Sequence, residues 1–196
     1  MYVGNFEVMP PWDPAVQQRP PDRGIHRILL DPGVVFGTGL HPTTRDCISA
    51  IQEAFHRKHH DVVVDIGTGT GILAIAASMM GSRVTMAVDI NFLSVQTARK
   101  NIRLNRLNEK IIAIQGSAEN IVDYPVDFMI ANIHYDVMKK ILNSDEFYQK
   151  KYFLLSGLLK SQAISVKDQL LQHYNVELIH TWDQNGIWFT FLGENH

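Results

Sequence analysis

Apolar and polar positions follow two rhythms along this chain, one of period 3.6 and one of short unbroken apolar runs, and they alternate from Asp31 onward. Over residues 45–58, Cys47 or Ile48, Ile51 and Phe55 recur at the spacing of one helical face, and Pro42, with Thr43 and Thr44 beside it, suits that helix's first turn. Val62-Val63-Val64 is a β-branched run that ends on Asp65 and a glycine loop. Residues 72–80 read as a helix stopped by Gly81. A second buried strand is predicted at 84–88, then a helix over 92–107. Strands follow at 111–114, 126–130 and 152–155, with helices at 135–142 and 161–173. Residues 176–181 and 187–192, divided by Asp183-Gln184-Asn185-Gly186, read as a closing hairpin.

Strands alternating with helices in this way predict an α/β fold. It is a doubly wound, mainly parallel seven-stranded sheet with helices on both faces and a C-terminal antiparallel hairpin. Ligands in such sheets sit at the carboxyl ends of the strands, near the switch in strand order. The first thirty residues read differently. Five of the eight prolines lie between Pro10 and Pro21, a run expected to be extended and to exclude helix and central strand. Residues 1–30 are therefore expected to form an arm or linker, with strands at 5–9 and 25–30, and residues 31–196 the folded domain.

Bulk properties narrow the class. With 196 residues the chain suits one core, and its 45% hydrophobic and 19% charged residues are those of an ordinary globular protein. A net charge of −2 advertises neither a nucleic-acid nor a membrane partner. One cysteine, Cys47, excludes an intramolecular disulfide and fits a reducing cytoplasm. No signal peptide and no membrane span are predicted.

The strongest chemical signal is Asp65-Ile66-Gly67-Thr68-Gly69-Thr70-Gly71, between a strand and a helix. Glycines there let backbone N–H groups approach a ligand closely. Asp89 ends the next strand, where a carboxylate can accept both hydroxyls of a ribose. Gly69-x-Gly71-x-x-Ala74, with Asp89 twenty residues after Gly69, also satisfies a loose nicotinamide fingerprint. Asp65 separates the two readings. An acid two residues before the first glycine suits a cationic amino-acid ligand such as S-adenosylmethionine, and it would repel a pyrophosphate. Upstream, Gly37-Thr38-Gly39 forms a backbone-exposing loop just before a helix start, where free N–H groups and threonine hydroxyls can hold a carboxylate.

These residues bring a family into view. DPGVVFGTGLHPTT at 31–44, VVDIGTGTGILAIAA at 63–77, AVDI at 87–90, VDFMIANI at 126–133 and LLSGLLKSQ at 154–162 resemble the PrmA family, bacterial methyltransferases of the eleventh large-subunit ribosomal protein. GNFEVMPPW at 4–12 looks like that family's linker. The resemblance implies an S-adenosylmethionine-dependent protein methyltransferase with a Rossmann-like fold and a ribosomal protein as first candidate substrate. By position, Thr44, Gly67, Asp89 and Asn132 match its cofactor-binding residues, and Gly37 and Gly39 match the loop over the methionine end. The family also carries an N-terminal domain that grips the ribosomal protein, and this chain begins at the linker. After the Asn-Ile pair the family tends to small aliphatic residues, whereas here His134-Tyr135 follow.

Asn132-Ile133-His134-Tyr135 looks like the Asn-Pro-Pro-Tyr loop of amino-group methyltransferases, keeping the first and fourth residues. Its amide oxygen and a backbone carbonyl can accept hydrogen bonds from an incoming amine, which makes Asn132 the catalytic candidate. His134 and Tyr135 are expected to be surface or packing residues, although His134 or Asp136 could take the amine's proton. His56-Arg57-Lys58-His59-His60 reads as a solvated helix end and not as a metal site. Arg99, Arg103 and Arg106 read as a solvated face. Trp12, Trp182 and Trp188 are expected in packing roles.

Overall fold

The computed structural model describes residues 1–196 except Val34 and Thr38. In chain order the elements are β1 (Tyr2–Val3), β2 (Phe6–Met9), α1 (Ala15–Gln18), β3 (His26–Leu29), α2 (Pro42–Arg57), β4 (Val62–Ile66), α3 (Ile72–Met79), β5 (Val84–Asp89) and α4 (Phe92–Leu104). They continue with β6 (Ile111–Gln115), β7 (Phe128–Asn132), α5 (Tyr135–Leu142), β8 (Tyr152–Leu159), α6 (Lys160–Leu170), β9 (Val176–Gln184) and β10 (Trp188–Asn195).

The main sheet has the order β6-β5-β4-β7-β8-β10-β9. Its first five strands pair in parallel, and β10 runs antiparallel to both β8 and β9. Order reverses between β4 and β7, so the carboxyl ends of β5, β4 and β7 open on one crevice. One apolar cluster joins Ile48, Ile51, Ile75, Ala98 and Ile102 of α2, α3 and α4 to one face of the sheet. A second joins Met138, Ile141, Ala163 and Val166 of α5 and α6 to the other. Both faces are thus covered, as buried parallel strands require. Among the described residues no helix is long and apolar enough to cross a membrane.

Most elements stand where the hydrophobic pattern puts them, with shifts at their ends. β7 lies two residues later than expected, at Phe128–Asn132, which makes Asn132 its last residue. β8 runs on to Leu159 because β10 pairs along it from Glu194 to Trp188.

The N-terminal stretch departs further. β1, β2 and β3 form a small sheet of their own, and the buried Phe6 and Ile28 join the α2–α3 cluster. Glu7 is buried there and accepts hydrogen bonds from Tyr2, Arg19 and Arg27. Those bonds, Tyr2's foremost, hold its carboxyl down at about 2 despite burial. The proline-rich run also contains the single helical turn α1, contrary to expectation. Pro14 precedes that turn, where no backbone N–H is needed, and Asp13 Oδ1 accepts the Ala15 N–H at 2.9 Å.

Two smaller expectations fail. His60 is not at a solvated end: it is 1% exposed, ringed by Phe55, Phe128 and Tyr152, and burial lowers its pKa to about 4. Trp12 is 65% exposed and fills no core position. Cys47 is buried, as its place on the apolar stripe of α2 implies.

Candidate functional site

The loop between β4 and α3 turns on glycines that nothing else could replace. Gly67 has φ +69°, and a Cβ there would stand 2.3 Å from Ile133 Cγ2. Gly69 has φ +54°, and its Cβ would stand 2.4 Å from the Phe36 carbonyl oxygen. Both positions therefore need a left-handed backbone and empty space together. Asp65 lies under this loop and does not line the crevice. Its Oδ2 accepts the Thr68 hydroxyl at 2.6 Å and the Ala74 N–H at 3.1 Å, tying strand, loop and α3 together. Its Oδ1 is buried without a hydrogen-bond partner among the described residues. Burial pushes the Asp65 carboxyl up to about 7, with the nearby Asp89 charge adding to the rise and the two hydrogen bonds opposing it. Asp65 is therefore only partly charged near neutral pH and would repel a pyrophosphate less than a fully ionised carboxylate.

Asp89 ends β5 on the other side of the loop. Its Oδ2 accepts the Gly69 N–H at 3.0 Å and its Oδ1 the Asn91 N–H at 2.9 Å. The carboxylate is fixed in orientation yet borders the crevice, so its remaining lone pairs can accept hydroxyl groups.

The upstream loop closes over the glycine loop. Phe36 and Gly37 carbonyls accept hydrogen bonds from the Thr70 N–H at 3.1 Å and the Thr70 hydroxyl at 2.6 Å. Asn101 Nδ2 donates to the carbonyls of Thr70, at 2.8 Å, and Asp31, at 3.0 Å, which locks both loops to α4. Gly37 and Thr44 border a small hollow shared with Gly67, Thr68 and Asn132, and the Thr44 hydroxyl is buried there without a partner among the described residues. Gly39 is not among the residues that border the hollow and instead packs against Met1, Ile72 and Val8. Thr38 lies outside the described residues.

Asn132 stands across the crevice from Asp89. Its Nδ2 donates to Thr43 Oγ1 at 3.4 Å, and that hydroxyl lies 2.8 Å from His41 Nδ1. The arrangement leaves Asn132 Oδ1 turned toward Gly157: a Cβ at Gly157 would stand 3.1 Å from that oxygen and 3.1 Å from the Ile133 carbonyl oxygen. Gly157 therefore leaves open the one spot that two hydrogen-bond acceptors share. His134 caps α5 through its ring and is exposed, and Tyr135 donates to Ser165 at 3.1 Å.

The crevice encloses about 400 Å³. It collects Gly67, Gly69, Asp89 and Asn132 from the expected residues. It adds Phe36, His41, Thr43, Ser94, Gly157 and Trp188, which the pattern did not single out. The His41 ring packs edge-on against Trp188 at 5.1 Å and lies 5.5 Å from Phe36, forming an aromatic wall. Trp188 is thus a wall of the site and not core filler. A glycine inside a strand, as Gly157 is, signals a close approach and could have been read. The aromatic wall left no local signal, because its members come from three separate segments. Among the described residues the one cluster able to hold a metal ion is Glu177, Glu194 and His196, with Glu194 half-buried and the other two exposed, at the end of the hairpin remote from the crevice.

Strand order, glycine loop, strand-end acid and reversed β10 together define the Rossmann-like methyltransferase fold. The family model of ribosomal protein L11 methyltransferase (PrmA) matches residues 2–196, and the chain belongs to that family. A ribosomal protein L11 methyltransferase of Anoxybacillus flavithermus is 32% identical over 195 residues, covering 97% of this chain and 59% of that protein. One of Carboxydothermus hydrogenoformans is 37% identical over 174 residues, covering 87% of this chain and 55% of that protein. The chain thus spans little more than half the length of these curated relatives. The crystal structure of a ribosomal protein L11 methylase from Lactobacillus delbrueckii superposes with a TM-score of 0.83 at 26% identity, covering 98% of this chain and 96% of that one.

Proposed function

We propose that this chain is an S-adenosylmethionine-dependent methyltransferase acting on protein amino groups, with ribosomal protein L11 as its acceptor. Residues 31–196 would form the catalytic domain, with residues 1–30 as its docked arm, working in the cytoplasm. The observation that carries the reading is the pairing of Asn132 Oδ1 with the Ile133 carbonyl around the space beside Gly157, in the same crevice as Asp89.

The residues fit the cofactor. The glycine cradle at Gly67 and Gly69 has no room for a Cβ, and the buried Thr44 Oγ1 has no hydrogen-bond partner among the described residues. Asp89 would hold the ribose hydroxyls, the Gly67 and Gly69 backbone the body of the cofactor, and Thr44 with Gly37 its amino-acid end. Gly39 would support this loop from behind. When bound, the cofactor supplies an activated methyl group on a sulfonium. Asn132 and Ile133 would accept the two N–H bonds of the incoming amine and aim its lone pair. Positioning of this kind can supply several kcal/mol, with roughly 7–11 kcal/mol as its ceiling. A lysine amine must first lose a proton, at a cost of about 4–5 kcal/mol near neutral pH. The wall of Trp188, His41 and Phe36 favours the neutral amine by excluding water.

The test is to incubate the chain with methyl-labelled cofactor and purified ribosomal protein L11, then locate the label by mass spectrometry. Label on amino groups of that protein is expected. A parallel incubation with total RNA and a small-molecule extract supplies the competing acceptors, and label there with none on the protein would overturn the reading.

A further inference from the structure

A second depression adjoins the crevice where β8 runs into α6. It is lined by Leu159, Lys160, Ile164 and Ile187 among others. Leu159, Ile164 and Ile187 are 42%, 55% and 56% exposed, three aliphatic side chains gathered in one place. The two depressions share their chain segments. Gly157 lines the crevice, and Leu159, two residues along β8, lines the groove. Trp188 lines the crevice and its neighbour Ile187 the groove, while Trp188 and Leu159 are paired across the sheet.

The start of α6 breaks the rules for starting a helix. Its N-cap is Leu159, whose side chain cannot accept a backbone N–H as Ser, Thr, Asp or Asn would, so only the reciprocal half of a capping box is present: Gln162 Oε1 accepts the Leu159 N–H at 2.8 Å. Its first residue is the cation Lys160, at the positive end of the helix dipole, and the first turn holds no acid. Lys160 makes no ion pair among the described residues. Local stability is thus given up at Leu159 and Lys160, where β8 passes into α6 and the groove opens, and such departures are expected at functional sites.

We propose that this groove binds the polypeptide flanking the acceptor amine, as an extended segment with an aliphatic side chain two positions from that residue and a carboxylate beside it. Spacing sets the first requirement. Two residues of β8 cover about 7 Å, which is also the distance between same-side residues i and i+2 of an extended peptide. An acceptor side chain in the crevice therefore places its second neighbour over Leu159, Ile164 and Ile187. Charge sets the other requirement, because the unpaired Lys160 at a helix N-terminus complements an anion and disfavours a basic flank. The proposal rests on the amino-group reading above and narrows its substrate to a sequence context.

Peptide binding tests it without requiring turnover. Fluorescein-labelled hexapeptides with one lysine would carry Leu two positions away, on either side, with an adjacent Glu. Control peptides would carry Gly or Lys in place of Leu and Glu. Polarisation with the unmodified chain, with and without adenosylhomocysteine, should give about tenfold tighter binding of a Leu-Glu peptide, as half-burial of one aliphatic side chain implies. Ile164→Asp and Lys160→Glu should each abolish the preference and leave adenosylhomocysteine binding unchanged. Equal affinity for all peptides, or a preference that survives both substitutions, would overturn the proposal. Dimerisation in sedimentation that Ile164→Asp abolishes would assign the groove to a second copy, also overturning it. Loss of adenosylhomocysteine binding by the unmodified chain would count against the methyltransferase reading instead, since peptide preference is measured without it as well.

Discussion

The carboxylate of Asp89 accepts the backbone N–H of Gly69 at 3.0 Å, joining the strand-end acid to the middle of the glycine loop. The acid therefore has two jobs: it shapes the loop with one oxygen and presents its remaining lone pairs to the crevice. Asp89→Ala is expected to weaken adenosylhomocysteine binding by about 1–3 kcal/mol, through lost charge-assisted hydrogen bonds. Asp89→Asn, which keeps one acceptor oxygen, should lose less. Calorimetric titration of both folded variants checks this, and unchanged affinity in Asp89→Asn would remove the charge from the explanation.

Gly69→Ala should be worse than its size suggests. The added carbon would meet the Phe36 carbonyl oxygen at 2.4 Å while the backbone sits at φ +54°. A shift of the upstream loop would relieve that contact, and this loop is pinned by Thr70 at Gly37 and by Asn101 at Asp31. We expect a stability loss of about 1–3 kcal/mol in urea denaturation and a still larger fractional loss of cofactor affinity. Normal binding by the variant would show that the loop is not held as described.

Asn132→Ala separates cofactor handling from acceptor handling. Removing the amide leaves the Gly67–Gly69 cradle and Asp89 intact but deletes one of the two acceptors around the space beside Gly157. Single-turnover transfer should fall by about a hundredfold or more, the order seen when a positioned transition-state hydrogen bond is removed. Cofactor affinity should change far less. Parallel losses in both would assign Asn132 to cofactor binding alone.

Asp65 and His60 make opposite contributions to stability across one pH range. Asp65 ionises at about 7 when folded against 3.8 as an ordinary carboxyl, so the folded state loses stability as pH rises from about 4 to 7. His60 is held at about 4 against 6.5, so the folded state loses stability as pH falls from about 6.5 to 4. The two slopes offset each other in the native chain. Asp65→Asn should therefore unmask a loss on acidification, and His60→Phe a loss on alkalinisation, in urea midpoints measured from pH 4.5 to 7.5. Identical pH profiles for the native chain and both variants would contradict these burial effects.

Much of this architecture was legible because it follows period and punctuation. The runs at β4 and β5 are apolar on both faces, Gly81 ends α3, and Asn185-Gly186 turns the hairpin. The glycine loop and Asp89 were legible because a backbone that must approach a ligand admits few residue types. What stayed hidden depends on tertiary contact. His60 looks like a charged helix end until Phe55, Phe128 and Tyr152 surround it. The N-terminal stretch looks like a free linker until Phe6 and Ile28 enter the core. Trp188, His41 and Phe36 lie in three segments, and only the fold brings them to one wall.

The most direct test of the account is calorimetric titration of the unmodified chain with adenosylhomocysteine and, separately, with NAD. Under the proposed function, Gly67, Gly69, Asp89 and Thr44, whose hydroxyl has no partner among the described residues, form a site for the first and not the second. Saturable, one-to-one binding of adenosylhomocysteine with no heat from NAD is the expected result. Tighter binding of NAD, or no binding of adenosylhomocysteine by the folded chain, would contradict the account at its centre.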